Sequence, residues 1–250
     1  MKAQRKNDDG ETDMSNWRLA FLLAGAILAA SPALADEAKI KRDLQARMPG
    51  VSVQSVTKSP FAGLYEVVLD GEVVYTDAKA EYFFSGDIYD IRRMPPRNLT
   101  EGNARRSTLG VLAKAAEEVA IKSVRGNGAR VLYTFEDPNC SFCKALRAEL
   151  ARMNDVTIYT FPTPILSQDS ADKSLAAWCA PDRTAAWETL MSGGTLPAVP
   201  GGCANPLGKV AALAKRLEIT STPVMFLGTG QRINGFVTAD KIEQALVAGK

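Results

Sequence analysis

The sequence has 250 residues, enough for one large domain or two small ones. Its 30 basic and 28 acidic residues give a net charge of +2, so composition gives no reason to expect nucleic acid or an anionic membrane as a partner. The sequence contains no histidine, which excludes Ser-His and Cys-His catalytic pairs, histidine-containing metal sites and haem attached through C-x-x-C-H.

The N-terminus has the pattern of a secretory signal peptide. An apolar run from Leu19 to Ala30 is followed by a small-x-small site at residues 33–35, which predicts cleavage after Ala35. A membrane anchor is the alternative, but a span needs about 20 apolar residues. Residues 1–13 are polar and mixed in charge, so Met14 is a possible alternative start. Export would place residues 36–250 in an oxidising compartment, where disulfides persist, and we expect the periplasm.

Residues 36–95 are predicted to form a small α+β unit. Helical spacing of apolar residues over 36–48 is stopped by Pro49-Gly50, and short strand candidates follow, with a hairpin signal at Asp70-Gly71. The segments EYFFSG and DIYDIRRM complete the predicted meander. Because a unit of this size buries little core, we expect it to act as a dimerisation domain.

Residues 96–122 are interpreted as a helical connector, with its clearest amphipathic part at 109–121, and residues 123–250 as a second domain. In this domain a strand at 130–135, a helix and a second strand at 156–162 come first. A long alanine-rich helical stretch, two strands and a closing helix follow. The order predicts an α/β domain with a central mixed sheet and helices on both faces.

The segment FEDPNCSFCK, residues 135–144, holds two cysteines in C-x-x-C spacing between a strand and a helix. Cys140 would lie at the helix N-terminus, where unpaired N–H groups and the helix dipole stabilise a thiolate. The thiolate is the attacking species in disulfide exchange, so Cys140 is the predicted nucleophile and Cys143 the resolving thiol. Ser141 and Phe142 occupy the two positions that tune the pair. The sequence does not place Glu136 and Asp137 relative to the thiolate.

Three other interpretations of the cysteines stay open. They are a zinc site built from all four cysteines, an inert C-x-x-C crosslink, and the chance placement of two free thiols without a redox role. Export and the lack of paired short spacing at Cys179 and Cys203 disfavour zinc, and a crosslink has no need of a helix start.

The four cysteines allow three pairings. Spacing favours Cys140 with Cys143, which leaves Cys179, in an apolar helical stretch, to pair with Cys203, in a loop rich in glycine and proline. We interpret the second pair as a structural disulfide that would stabilise the fold by about 3 kcal/mol.

Two motifs carry a resemblance to a known family. FEDPNCSFCK resembles the active-site segment of thioredoxin-fold disulfide oxidoreductases, and STPVMFLGTG, residues 221–230, resembles their second signature, a threonine before a cis-proline. With the signal peptide, the cysteine-free N-terminal unit and the connector, the chain resembles the periplasmic disulfide isomerases of the DsbC and DsbG type over almost all of residues 36–250.

The resemblance implies a cystatin-like dimerisation domain, a linker helix and a C-terminal thioredoxin fold with a helical insertion. It matches Cys140 and Cys143 to the redox pair and Cys179 and Cys203 to the structural disulfide. Thr222 and Pro223 match the loop facing the redox pair, where a cis bond would expose the Thr222 backbone to a substrate peptide. Ser141 and Phe142 replace the usual Gly-Tyr, which leaves the balance between isomerase, reductase and oxidase undecided.

The resemblance also implies a homodimer that acts on unfolded or misoxidised exported proteins and is kept reduced by an inner-membrane donor of the DsbD type. No metal, flavin or nucleotide motif is present in the sequence, so we expect the cysteine pair itself to be the redox group. The alternatives are a sulfenic acid reductase of the DsbG type, an oxidoreductase dedicated to one secretion or conjugation machine, and a protein that is mainly a chaperone or binding module.

Overall fold

The computed structural model describes residues 32–61, 63–92, 94–197, 199 and 202–248. The signal-peptide prediction concerns residues 1–35, and residues 1–31 lie outside this described part. None of the helices formed by the described residues combines the length and the hydrophobicity needed to cross a membrane.

The N-terminal unit packs one helix on an antiparallel sheet. Helix α1 spans Pro32–Arg47, and the four strands, which neighbour one another in chain order, are β1 (Val53–Lys58), β2 (Leu64–Leu69), β3 (Glu72–Asp77) and β4 (Phe83–Phe84). Ile40 and Leu44 of α1 are fully buried against the sheet. Asp70 and Gly71 both have positive φ angles, 49° and 100°, as a tight hairpin turn between β2 and β3 requires.

The predicted meander ends earlier than expected. Strand β5 (Tyr89–Asp90) does not continue the first sheet but pairs with β6 (Arg97–Asn98) in a separate two-stranded ribbon. The backbone around β5 bonds to the start of the next helix, because Leu99 N donates to Ile88 O at 2.8 Å and Ile88 N donates to Thr100 Oγ1 at 2.9 Å. These bonds hold the segment away from β4.

The connector is more regular than predicted. Helix α2 spans Leu99–Val119 and begins at Asn98, whose side chain accepts a hydrogen bond from Glu101 N. The predicted continuation of the helix to Ile121 is wrong, because Ile121 opens strand β7 (Ile121–Arg125). The sequence pattern did not predict this strand, because the polar Ser123 is buried whereas the apolar Val124 is 54% exposed.

A five-stranded mixed sheet forms the centre of the C-terminal part. The strands β8 (Arg130–Glu136) and β9 (Val156–Pro162) are parallel, and β7, β10 (Val224–Leu227) and β11 (Arg232–Asn234) pair antiparallel, in the order β11-β10-β8-β9-β7. The fold class predicted for this domain is therefore confirmed.

Helices cover both faces of this sheet. Helices α3 (Ser141–Leu150) and α7 (Ala239–Ala248) pack on one face against residues such as Leu132. Helices α2 and α6 (Leu207–Arg216) pack on the other, against residues such as Phe135. The helices α4 (Gln168–Cys179) and α5 (Arg183–Met191) form an insertion between β9 and α6 and bury Trp187 beside Cys143.

Candidate redox site

The two cysteines of the C-x-x-C segment lie at the start of α3. Strand β8 ends at Glu136, and a turn closed by Cys140 N donating to Asp137 O at 3.0 Å leads into the helix. Cys140 is the N-cap residue of α3, and its side chain does not cap the helix. Both cysteines are free thiols, 7% exposed for Cys140 and fully buried for Cys143. Cys140 is therefore the more accessible of the two thiols.

The predicted facing loop lies against Cys140. The Thr222–Pro223 peptide bond is cis, and the Cys140 thiol donates a hydrogen bond to Thr222 O at 3.4 Å across 82 positions of sequence. The fold thus brings together the helix start and the loop before β10, the two segments that the sequence motifs singled out.

Ser141 and Phe142 face outward, and Phe142 is 63% exposed. Three further apolar side chains, which sequence reasoning did not identify, are exposed on segments that bond to Asp137 or to Pro223. Ile165 and Leu166 follow β9, and Phe236 follows Gly235, whose N–H donates to Pro223 O at 2.8 Å. We call this set of exposed side chains the apolar rim: Phe142, Ile165, Leu166 and Phe236.

Asp137 fixes the turn that carries Cys140. Its carboxylate is fully buried and accepts hydrogen bonds from the backbone N–H groups of Asn139 at 2.8 Å, Ile165 at 2.9 Å and Leu166 at 3.0 Å. Backbone N–H groups therefore compensate the charge of Asp137, and its hydrogen bonds connect the segment of Ile165 and Leu166 to the turn before Cys140.

Asn139 joins the same turn to the helical insertion. Its side-chain amide donates to Asp169 Oδ2 at 2.7 Å and to Ser170 Oγ at 3.0 Å, and its oxygen accepts from Lys173 Nζ at 2.9 Å. All three partners belong to α4, so the position of the first cysteine depends on a helix about 30 residues away in the sequence.

Glu136 ends β8, and its charge acts on the Cys143 thiol. The carboxylate is fully buried, Trp187 Nε1 donates to its Oε2 at 3.1 Å, and Arg147 Nη1 lies 3.5 Å from its Oε1. Arg147 follows Cys143 by one helical turn and also donates from Nε to Glu188 Oε1 at 3.0 Å. A chain of charges therefore runs from β8 through α3 to α5.

The environment of Cys143 keeps its thiol protonated. Burial raises the pKa of the Cys143 thiol well above its usual range, a hydrogen bond with the Asp137 backbone opposes the rise, and the negative charge of Glu136 adds to it. The two cysteines therefore have different environments: one at a helix start with access to solvent, the other buried and neutral.

We expect iodoacetamide to modify Cys140 and to leave Cys143 unmodified in the reduced native protein at about pH 7.5, because alkylation needs an accessible thiolate. Raising the pH through the usual thiol range near 8.5 should not expose Cys143 to the reagent, since its raised pKa keeps it protonated there. Mass spectrometry of the peptides would locate the label. Protein unfolded in urea is the control, in which both thiols should react, and equal labelling of the native thiols would contradict the prediction.

Cys179 and Cys203 form a disulfide with a Cα–Cα distance of 5.9 Å. The bond joins the end of α4 to the loop before α6. Because these two thiols are used in a crosslink, the four-cysteine zinc alternative is incompatible with this structure.

Comparisons with known proteins agree with this arrangement. A family model described as the disulfide bond isomerase protein N-terminal domain matches residues 31–101, and a thioredoxin-like domain model matches residues 117–250. A Bordetella pertussis protein described as a probable thiol:disulfide interchange protein DsbC is 33% identical over 207 residues, which cover 83% of this chain and 73% of the relative. The thiol:disulfide interchange protein DsbC of Escherichia coli is 27% identical over 218 residues, covering 86% and 89% of the two chains.

Among solved structures, a linker-deletion variant of Proteus mirabilis ScsC aligns with a TM-score of 0.50 and 22% identity over 60% of this chain and 82% of that chain, a likeness of fold. The identity to the Bordetella protein over most of both chains, together with the match of the thioredoxin-like model to more than half of this sequence, establishes the family. The chain therefore belongs to the DsbC family of thiol:disulfide interchange proteins.

Proposed function

We propose that the chain isomerises or reduces wrong disulfides in exported proteins in the periplasm, using Cys140 as nucleophile and Cys143 as resolving thiol. The observation that carries this proposal is the placement of Cys140. Its sulfur lies at the start of α3 and 3.4 Å from Thr222 O, and the second thiol is buried directly behind it.

The reaction begins with the Cys140 thiolate. It attacks one sulfur of a substrate disulfide, a Cys140–substrate S–S bond forms, and the second substrate sulfur leaves as a thiolate that takes a proton from water. In isomerisation, another substrate thiolate attacks the mixed disulfide and releases Cys140. In reduction, Cys143 attacks Cys140, and the substrate leaves reduced by two electrons while the cysteine pair becomes oxidised.

The surroundings of the thiol suit an unfolded chain as substrate. The apolar rim offers exposed hydrophobic side chains on the segments that bond to Asp137 and to Pro223, and unfolded proteins expose the apolar side chains that such a surface binds. The half-buried Thr222 lies beside the thiol, and backbone pairing there would hold an extended peptide with little dependence on its sequence.

Scrambled ribonuclease, a substrate with several wrong disulfides, tests the proposal. Catalytic amounts of the reduced protein should restore ribonuclease activity faster than glutathione buffer alone. No acceleration would contradict the proposed isomerisation, and suppression of aggregation without reshuffling would favour a chaperone or binding module. Reduction of a sulfenic acid on a single-cysteine substrate without reshuffling would favour the DsbG-type activity.

The N-terminal unit is proposed to form a homodimer. Six of the large exposed hydrophobic side chains of the described residues lie close together in the sequence around β4 and β5, namely Tyr82, Phe83, Phe84, Tyr89, Ile91 and Met94. Exposed apolar patches of this kind mark interfaces between proteins, and a second copy of this unit would cover the patch.

The double variant Ile91→Asp, Met94→Asp is expected to be monomeric, because these side chains are 76% and 87% exposed and contribute little to the core of one chain. Val247→Asp, which adds the same charge at a 69% exposed position of α7, is the control and should stay dimeric. Sedimentation velocity would measure the mass, and a dimeric double variant would place the interface elsewhere.

An isomerase that works in an oxidising compartment needs a source of electrons. We propose that a reductant of the DsbD type in the inner membrane keeps Cys140 and Cys143 as thiols, and that this cysteine pair is the redox group of the protein. The position of Cys140 supports this, since Cys140 is the more accessible thiol of the pair and a partner thiol would approach it as a substrate does.

A further inference from the structure

A large cleft separates the N-terminal sheet from helices α2 and α6. Its volume is about 1030 Å³, near the upper end of the range for small-molecule sites. One wall is the face of β1, β2 and β3 that α1 leaves uncovered, and the two helices form the other walls. The described residues that line the cleft include no cysteine, no residue of the Thr222-Pro223 loop and none of the apolar rim, so the cleft is distinct from the redox site.

Apolar side chains from four elements line part of the cleft. Val68 of β2 and Tyr75 of β3 are buried, and Val111 of α2 and Leu213 of α6 add to the same surface. Gly110 of α2 contributes no side chain, and a Cβ added there would meet no neighbouring element within 4 Å. A hydrocarbon chain therefore finds both apolar contacts and room in the cleft.

Most of the charged side chains around this apolar surface are cationic. Six of the described residues that line the cleft are lysines or arginines, namely Lys58, Arg97, Arg106, Lys114, Lys209 and Arg216. The carboxylates among the described lining residues both have partners. Glu66 accepts a hydrogen bond from Asn103 Nδ2, and Glu118 Oε2 pairs with Lys209 Nζ at 2.8 Å.

Two of the cations lack a carboxylate of their own. The pKa of Glu118 is lowered first by its hydrogen bond with Lys209 and less by the charge of Lys114, so one carboxylate serves two cations. Arg216 of α6 is exposed and forms no ion pair with any described residue. Positive charge on both helices therefore stays uncompensated and favours a ligand with negative charge.

The backbone around the cleft offers little to a peptide ligand. At the free edge of β1, Gln54 O accepts a hydrogen bond from Lys41 Nζ at 2.9 Å, and Lys58 N donates to Glu37 Oε1 at 2.9 Å, so side chains of α1 occupy these groups. The helical walls bond their backbone internally. Because peptides that bind in extended form need such edge groups free, the cleft fits a ligand without a peptide backbone.

We propose that this cleft binds a single-chain anionic amphiphile, a molecule with a carboxylate head group and a hydrocarbon chain, such as a long-chain fatty acid. The hydrocarbon chain lies against the apolar side chains of the sheet and the helices, where it is removed from water. The head group lies in the cationic part of the cleft, where Lys114 and Arg216 are available to it. The walls belong to both the N-terminal unit and the C-terminal part, so an occupied cleft also ties the two together.

Isothermal titration calorimetry of the protein with sodium dodecanoate, below its micelle concentration, tests this proposal. Dodecanoate should bind, and octanoate should bind at least about tenfold more weakly, because it has a shorter chain to bury. Dodecyl maltoside, which has the same hydrocarbon chain and an uncharged head group, should also bind at least about tenfold more weakly. Failure of dodecanoate to bind, or an equal affinity for the uncharged amphiphile, would overturn the proposal.

The double variant Lys114→Glu, Arg216→Glu should weaken dodecanoate binding by more than about tenfold, because both helices then repel the head group. The matched control is Lys215→Glu, Lys241→Glu, which changes the net charge equally at exposed positions of α6 and α7 outside the cleft. It should bind dodecanoate as the wild type does. An equal loss in the two double variants would show attraction by net charge alone and would contradict the assigned site.

Filling the cleft tests the site without changing its charge. Gly110→Leu places a side chain in unobstructed space beside the apolar surface and should abolish dodecanoate binding, while the higher helix propensity of leucine preserves α2. Gly208→Leu makes the same change at an equally unobstructed position of α6 outside the cleft, and it should leave binding intact. Undiminished binding to Gly110→Leu would rule out this cleft as the site.

The same measurements separate the cleft from other binding surfaces. Loss of binding in Ile91→Asp, Met94→Asp but not in Gly110→Leu would place the ligand on the exposed patch of the N-terminal unit and would sink the proposal. Displacement of dodecanoate by reduced, carboxymethylated α-lactalbumin, an unfolded acidic protein, would make the cleft a peptide site and would equally overturn it. Cys140→Ser should bind dodecanoate as the wild type does, so the result is independent of the proposed redox function.

Discussion

Cys140→Ser is expected to abolish the reactivation of scrambled ribonuclease, by about 1000-fold or more, down to the rate of the glutathione buffer. A serine hydroxyl is not ionised at neutral pH and cannot form the mixed disulfide. The substitution replaces the Cys140 sulfur with an oxygen and leaves the side chain nearly the same size, so the fold should be kept and the loss would report the chemistry of the thiol.

Cys143→Ser is the matched control for this result. It keeps the attacking thiol and should accumulate the mixed disulfide with the substrate, which non-reducing electrophoresis would detect. Part of the reshuffling should remain, because a substrate thiol can resolve the intermediate in place of Cys143. Reactivation that persisted in Cys140→Ser would remove Cys140 from the mechanism, and equal loss in both variants would mean that reshuffling always passes through Cys143.

Arg147→Ala is expected to lower the free energy of unfolding by about 3–5 kcal/mol. Its side chain is only 5% exposed and lies between two carboxylates, 3.5 Å from Glu136 Oε1 and 2.8 Å from Glu188 Oε1. Removing it leaves the charge of Glu136 buried without a cation, and the loss of a partner from a buried pair is what makes such changes severe.

Arg152→Ala provides the comparison, because Arg152 also pairs with a carboxylate, Glu149 Oε2 at 2.9 Å, but its side chain is 60% exposed. Its loss should change the stability by no more than about 1 kcal/mol. Urea unfolding of the reduced proteins would measure both. Adding Glu136→Gln to Arg147→Ala should recover part of the stability, since the uncompensated charge is then removed. Equal losses of unfolding free energy in the two arginine variants would show that the unpaired charge of Glu136 does not destabilise Arg147→Ala.

The sequence was informative wherever the determining interactions are local. The C-x-x-C spacing after β8 placed Cys140 at a helix start, and Asp70-Gly71 identified a hairpin, because both depend on backbone geometry within a few residues. Local signals were insufficient for β5 and β7. Strand β5 pairs with residues about ten positions later in the sequence. Strand β7 buries Ser123 and exposes Val124, which is the reverse of what their polarity predicts.

In the redox site, too, local features could be predicted from the sequence and long-range contacts could not. The sequence by itself determined that two thiols follow a strand and open a helix, and that a Thr-Pro pair precedes another strand. Only the tertiary structure decided that Thr222 O lies 3.4 Å from Cys140, that Asp137 binds the backbone after β9, and that Glu136 is enclosed by Arg147 and Trp187. The physical reason is that a charge is tolerated in a core only through partners, and those of Glu136 come from α3 and α5, up to 51 positions away in the sequence.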